Sequence, residues 1–96
     1  MEIANRAMID GFLGRNAAAR KPMDRWVKIV LAGQWTDIVE MRNSFLTADV
    51  IKGTNLICFN IGGNNYRLIG AVSYQRQQIV IHELLTHAEY DKKHAR

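Results

Sequence analysis

Apolar side chains recur at helical spacing over the first third of the chain. From about Asn5 to Arg20, Met8, Ile9, Phe12 and Leu13 share one face, while Arg6, Asp10 and Arg15 lie elsewhere. Gly11 and Gly14 weaken this helix. Lys21-Pro22 predicts a break, with Pro22 in the first turn of a second helix, where its missing N–H costs nothing. Asp24 complements the positive end of that helix, and Trp26, Ile29, Val30 and Gly33 follow i, i+3, i+4, i+7 spacing up to a glycine stop. Thr36 is placed to cap a short third helix over Asp37 to Asn43.

After Asp49 the pattern changes. Gly53-Thr54-Asn55 reads as a loop, and β-prone runs then predict strands at about 56–61, 65–74 and 78–85. Gly62-Gly63-Asn64 supplies residues that tolerate positive φ, so the first two strands should form an antiparallel hairpin. Gln75-Arg76-Gln77 is a second polar turn. A meander of three strands following helices gives an α+β fold. The last element has the clearest start. Thr86-His87-Ala88-Glu89 fits the S/T-x-x-E capping box, so a short helix should begin directly after the third strand, with His87, Tyr90 and Asp91 in its first turns.

Composition narrows the class. Ninety-six residues, 48% of them hydrophobic, are expected to form one domain over 1–96. No apolar run approaches the roughly 18 residues a membrane span needs. The segment Met1-Glu2-Ile3-Ala4-Asn5-Arg6 lacks the charged start and apolar stretch of a secretory signal, so the expected location is the cytoplasm. Cys58 is the only cysteine and lies in the apolar stretch Leu56-Ile57-Cys58-Phe59. That excludes an intrachain disulfide and a Cys/His zinc spacing, and favours a small buried residue over a nucleophile. The net charge of +4 suits a polyanionic partner, but it is divided evenly. Residues 1–48 carry seven basic and five acidic side chains, and residues 49–96 carry six and four, so any basic patch must be assembled by folding.

Several familiar chemistries lose their signals. Gly62-Gly63 is followed by a strand and has no x-x-G continuation, so a turn is favoured over a phosphate cradle. His82, His87 and His94 do not form H-E-x-x-H, no serine occupies a G-x-S-x-G elbow, and no carboxylate pair suggests glycoside chemistry. Trp26 and Trp35, in the helical half, are expected to pack the core. What remains is a set around Arg67, His82, His87, Tyr90 and Lys92. Arg67 lies mid-strand, either as a paired strand arginine or as an anion ligand. His82 on the next strand is either a hydrogen-bonded structural histidine or a titratable site group. His87 and Tyr90 share a helix face, with His87 in the first turn, where the dipole favours neutral imidazole and attracts phosphate. Tyr90 could equally pack flat on the sheet. Lys92, Lys93 and Arg96 read as a solvated basic tail, with Lys92, Lys93 and Arg76 as the candidate phosphate contacts. Cleavage of RNA by its 2′-hydroxyl requires a base, cations at the phosphate and a proton for the departing 5′-oxygen. Imidazole and guanidinium supply such parts near neutral pH.

Two stretches carry a family resemblance. Phe59-Asn60-Ile61-Gly62-Gly63-Asn64-Asn65-Tyr66-Arg67-Leu68-Ile69 and Leu85-Thr86-His87-Ala88-Glu89-Tyr90-Asp91-Lys92 resemble the hairpin and C-terminal ending of HigB-type toxins, a branch of the RelE-like ribonucleases. Weaker agreement runs through Pro22-Met23-Asp24-Arg25-Trp26, Trp35 and Phe45 to Ala48-Asp49, so the resemblance covers nearly the whole chain. It implies a small twisted antiparallel sheet with N-terminal helices packed on one face and a short C-terminal helix. It also implies metal-independent, cofactor-free cleavage of messenger RNA on the ribosome. The implied partner is a HigA-type helix-turn-helix antitoxin, with operator DNA reached only through the antitoxin complex. Carried over by motif position, Arg67 would contact the scissile phosphate and Tyr90 would stack on or orient the substrate. His87 would transfer a proton, and Lys92 would contact phosphate. Two departures stand out: His82 where relatives often carry arginine or lysine, and Asn65 where they commonly carry lysine. A noncatalytic RNA- or ribosome-binding module is the alternative function, and a protein-interaction subunit without a nucleic-acid role is a third.

Overall fold

A computed structural model describes residues 1–94. The order of elements is β1 (Glu2–Ala4), α1 (Ala7–Arg15), a 3₁₀ turn (Ala17–Ala19), α2 (Arg20–Ala32), α3 (Ile38–Ser44), β2 (Asp49–Val50), β3 (Leu56–Ile61), β4 (Tyr66–Ser73), β5 (Gln78–Thr86) and α4 (His87–Lys93). The strands form one sheet in the order β1-β5-β4-β3-β2. Its four C-terminal strands pair antiparallel, while β1 lies parallel to β5, so the fold is α+β with a mixed sheet.

The three long strands fall where the sequence predicts them. β1 and β2 are additions to that expectation, being three and two residues long. The first helix is shorter than its predicted span, because Asn16 leaves helical geometry at φ −139° and ψ 68°. The break therefore comes at Asn16, and α2 already begins at Arg20. Pro22 sits inside its first turn, where amides have no intrahelical acceptor. The cap of α3 is Asp37 rather than Thr36: the Asp37 carboxylate accepts from the Glu40 amide at 2.8 Å. Thr36 instead donates its amide and hydroxyl to the Glu40 carboxylate.

The sheet has two unlike faces because side chains alternate along each strand. One face presents Ile57, Phe59, Ile61, Leu68, Val72, Ile79, Ile81 and Leu84 to the helical layer. There they meet Phe12 and Leu13 of α1, Met23, Trp26 and Val30 of α2, and Met41 of α3. Trp26 and Trp35 are core residues as expected, and Trp26 meets Phe59 edge-on at 5.5 Å between ring centres. The opposite face carries Cys58, Arg67 and Ile69, all buried, and α4 folds back over it. Between Ile69 and Gly70 the register shifts, with Ile69 opposite Glu83 and Gly70 opposite Ile81, leaving His82 as the extra residue of a bulge. A side chain at position 70 would press on Ile79 and on the Val80 carbonyl at 2.9 and 3.2 Å, so glycine is required beside this kink.

Candidate active site

The capping box fixes where α4 begins. Thr86 Oγ1 accepts from the Glu89 amide at 3.2 Å, and the Glu89 carboxylate accepts from the Thr86 amide at 2.9 Å. The first helical amide, His87 N–H, donates to the Asn65 carbonyl in the β3–β4 turn at 2.8 Å. The far end is held by Glu83 of β5, which pairs with Lys93 and lies 3.5 Å from His94 Nε2. None of the helix's residues is buried. Its position depends on these polar ties and on Tyr90.

Arg67 lies beneath the helix. It is 7% exposed and is the only buried charged side chain among the described residues. Its neighbours across the strands are Asn60 and Leu85. A buried guanidinium must have its donors satisfied. Nη1 donates to the carbonyls of Asn64 at 3.0 Å and Tyr66 at 3.1 Å. Nη2 donates to Asn64 Oδ1 at 2.5 Å and meets His87 Nδ1 at 3.1 Å. Arginine has no acceptor, so His87 Nδ1 accepts this bond. The neutral imidazole therefore carries its proton on Nε2, which lies 3.2 Å from Asp91 Oδ2. Tyr90 closes the arrangement, with the Arg67 Cζ 5.4 Å from its ring centre in cation–π geometry. The same ring stacks on His94 at 4.9 Å.

Cys58 lies on this face too. Burial pushes its thiol pKa up; a hydrogen bond from Tyr90 and the Arg67 charge pull it down, and Asp49 adds to the rise. The expectation of a small buried cysteine is met.

Arg67, His87 and Tyr90 thus converge, and Lys92 is exposed on the same helix. Lys93 is committed to Glu83. His82 is exposed on the bulge and makes none of the contacts that tie the other three together. Arg76 belongs to the β4–β5 turn at the far end of the hairpin from Arg67. Arg67 and Ser73 lie six positions apart along β4, which is about 20 Å. Arg96 lies outside the described residues. Two site residues are absent from the sequence-based set. Asp91 is recoverable from its i, i+4 spacing to His87. Asn64 reads from sequence as a turn residue, yet only the two glycines of that turn take positive φ, +64° and +68°. Among the described residues, no group of three or more His, Cys, Asp or Glu side chains is placed to hold a metal ion.

Residues 19–93 match the family model described as HigB_toxin, the RelE-like toxic component of a toxin–antitoxin system. Among curated relatives, the mRNA interferase HigB of Escherichia coli O6:H1 is 35% identical over 54 residues, which is 55% of this chain and 52% of that protein. The mRNA interferase toxin HigB of Escherichia coli K12 is 46% identical over 33 residues, 34% of this chain and 32% of that protein. The matched stretches therefore span about half and about a third of those relatives.

Proposed function

This chain belongs to the HigB family of RelE-like toxins, and from that premise we propose that it is a metal-independent endoribonuclease that cleaves messenger RNA on the ribosome. Cleavage arrests translation in the cytoplasm until a HigA-type antitoxin binds the protein. Operator DNA is reached only through that complex. The observation that carries this reading is the meeting of the Arg67 guanidinium with His87 Nδ1 at 3.1 Å under the Tyr90 ring.

A phosphate arriving at Arg67 Nη2 takes over both N–H groups, those now bonded to His87 Nδ1 and to Asn64 Oδ1. That releases the Nδ1 lone pair beside the bound phosphodiester, while Asp91 holds the opposite nitrogen. His87 accepts the 2′-hydroxyl proton and the 2′-oxygen attacks phosphorus. The bond to the 5′-oxygen breaks, that oxygen takes a proton from water, and the hydroxide left behind takes the proton held by His87. The products are a 2′,3′-cyclic phosphate and a 5′-hydroxyl end. Arg67 stabilises the crowded phosphate, Tyr90 orients the substrate, and Lys92 adds positive charge at the strand. Neither His82 nor Arg76 is needed in this scheme. The noncatalytic RNA-binding alternative draws support from one fact: every Nη–H of Arg67 already has a partner within the protein.

Induced expression with mapping of transcript 5′ ends separates the two. Wild-type protein is expected to generate new 5′-hydroxyl ends inside messages. His87→Ala should reduce them by about a hundredfold, the lower end of what a general base contributes. Its half-exposed side chain predicts an unchanged melting temperature. Growth arrest without new ends would establish the binding module instead. Full cleavage by both His87→Ala and Tyr90→Phe would remove the site assignment.

A further inference from the structure

We infer that Asn64 is a positioning residue for Arg67 and that its side-chain oxygen holds the place of a phosphate oxygen, an inference that rests on the ribonuclease reading above. Asn64 contacts both terminal nitrogens of one guanidinium: its backbone carbonyl binds Nη1 and its amide Oδ1 binds Nη2. The two nitrogens differ. Nη1 is held by two carbonyls of the hairpin backbone, Asn64 and Tyr66, which cannot leave without unmaking the turn. Nη2 is held by two side-chain acceptors, Asn64 Oδ1 and His87 Nδ1, either of which can rotate away. Substrate exchange therefore takes place on Nη2. In the free protein, Asn64 Oδ1 keeps that edge in the plane a phosphate needs. It is an oxygen acceptor, as a phosphoryl oxygen is, but uncharged, so an anionic phosphate displaces it readily.

The turn does not require asparagine for its own shape. The positive φ values belong to Gly62 and Gly63. Nor does the amide fill a core position, since Asn64 is exposed. What distinguishes asparagine here is an acceptor of the right length, three residues before the arginine it holds.

The test compares Asn64→Ala, Asn64→Gly and Asn64→Asp with the wild type for melting temperature, kcat and KM on ribosomes programmed with a short messenger RNA, and the ¹⁵N resonances of the Arg67 guanidinium. Removing Oδ1 in Asn64→Ala should free rotation about the Arg67 Cζ–N bonds, merging resolved Nη signals. It should also lower kcat about tenfold, the effect of one charge-assisted hydrogen bond, with KM little changed. Asn64→Asp should keep the Nη signals resolved and raise KM by about tenfold or more, because an aspartate cannot be displaced by another anion as a neutral amide is. A purely structural turn residue would shift the melting temperature in step with activity in Asn64→Gly and leave the Asn64→Ala signals resolved. Wild-type kcat and KM in both Asn64→Ala and Asn64→Asp would overturn the inference. If wild-type protein cleaves no RNA, the enzymatic reading fails by itself, while the resonances still show whether Asn64 immobilises the guanidinium.

Discussion

Cys58 connects the chemistry of the site to the stability of the fold. Its thiol pKa is raised above the ordinary 9.0, chiefly by burial, and that of Tyr74 is raised above 10.0, chiefly by burial and next by Asp37. For both groups the folded state holds its proton more tightly than the unfolded chain does. Their contribution is complete below the ordinary values and is lost as pH rises through the folded ones. Denaturant midpoints should therefore fall from about pH 9 upward, and Cys58→Ala should flatten the first part of that decline. A midpoint that stays level between about pH 8 and pH 11 in wild-type protein would contradict it. Individual residues are legible in the sequence to different degrees. Arg67, His87 and Tyr90 can be picked out because a strand arginine and two helix residues three apart state their directions in the chain. Asn64 cannot, because its role is a hydrogen bond whose partner approaches only when the hairpin closes. The partners of Arg67 are equally hidden. All four Nη–H groups of Arg67 are bonded within the protein, and its reading as an anion ligand rests on the exchange proposed at Nη2.

At the level of the element, α4 is the part of the site with the least intrinsic support. Seven residues are too few for an independent helix, and none is buried. Capping and docking must supply what length does not. Thr86→Ala removes the acceptor for the Glu89 amide and should cost about 1 kcal/mol of helix stability. Because α4 lies outside the core, that loss should appear as faster amide exchange across 87–93 and weaker cleavage, with the melting temperature almost unaffected. A drop in melting temperature with unaltered exchange in α4 would show that the helix is integral to global folding. The capping box is legible because its two bonds join residues three apart. The same locality makes the β3–β4–β5 meander legible. β1 is not, since its three residues have no pattern of their own and their partners on β5 lie near the other end of the chain. β2, two residues long, pairs at a sheet edge and leaves no periodic trace. Pro22 shows the converse: its local signal points correctly to a first-turn proline, but the helix begins two residues ahead of it at Arg20, because the break falls at Asn16.

On the scale of the whole molecule, one sheet separates two environments. The helical face holds the apolar core, and the other face holds Arg67, the one buried charge among the described residues, under a polar helix. Nothing in the distribution of charge along the chain marks that division, since both halves carry the same surplus. The bulge at His82 keeps the two environments apart along β5. Ile81 stays opposite Gly70, and Glu83 opposite Ile69. Suppose the chain were shortened by one codon at His82. Ile81 and Glu83 would become consecutive and already occupy alternate sides, so everything downstream would keep its orientation, Leu84 inward and Leu85 beside Arg67. Dropping Ile81 instead would move a histidine into its place in the core. Dropping Leu84 would invert the rest of the strand and turn the start of α4 toward the wrong layer. A His82 deletion should therefore remain folded and retain RNA cleavage, while neither of the other two deletions should yield folded protein. β5 thus contains one residue more than its architecture uses, and that spare position is where natural length variation in this strand can be absorbed.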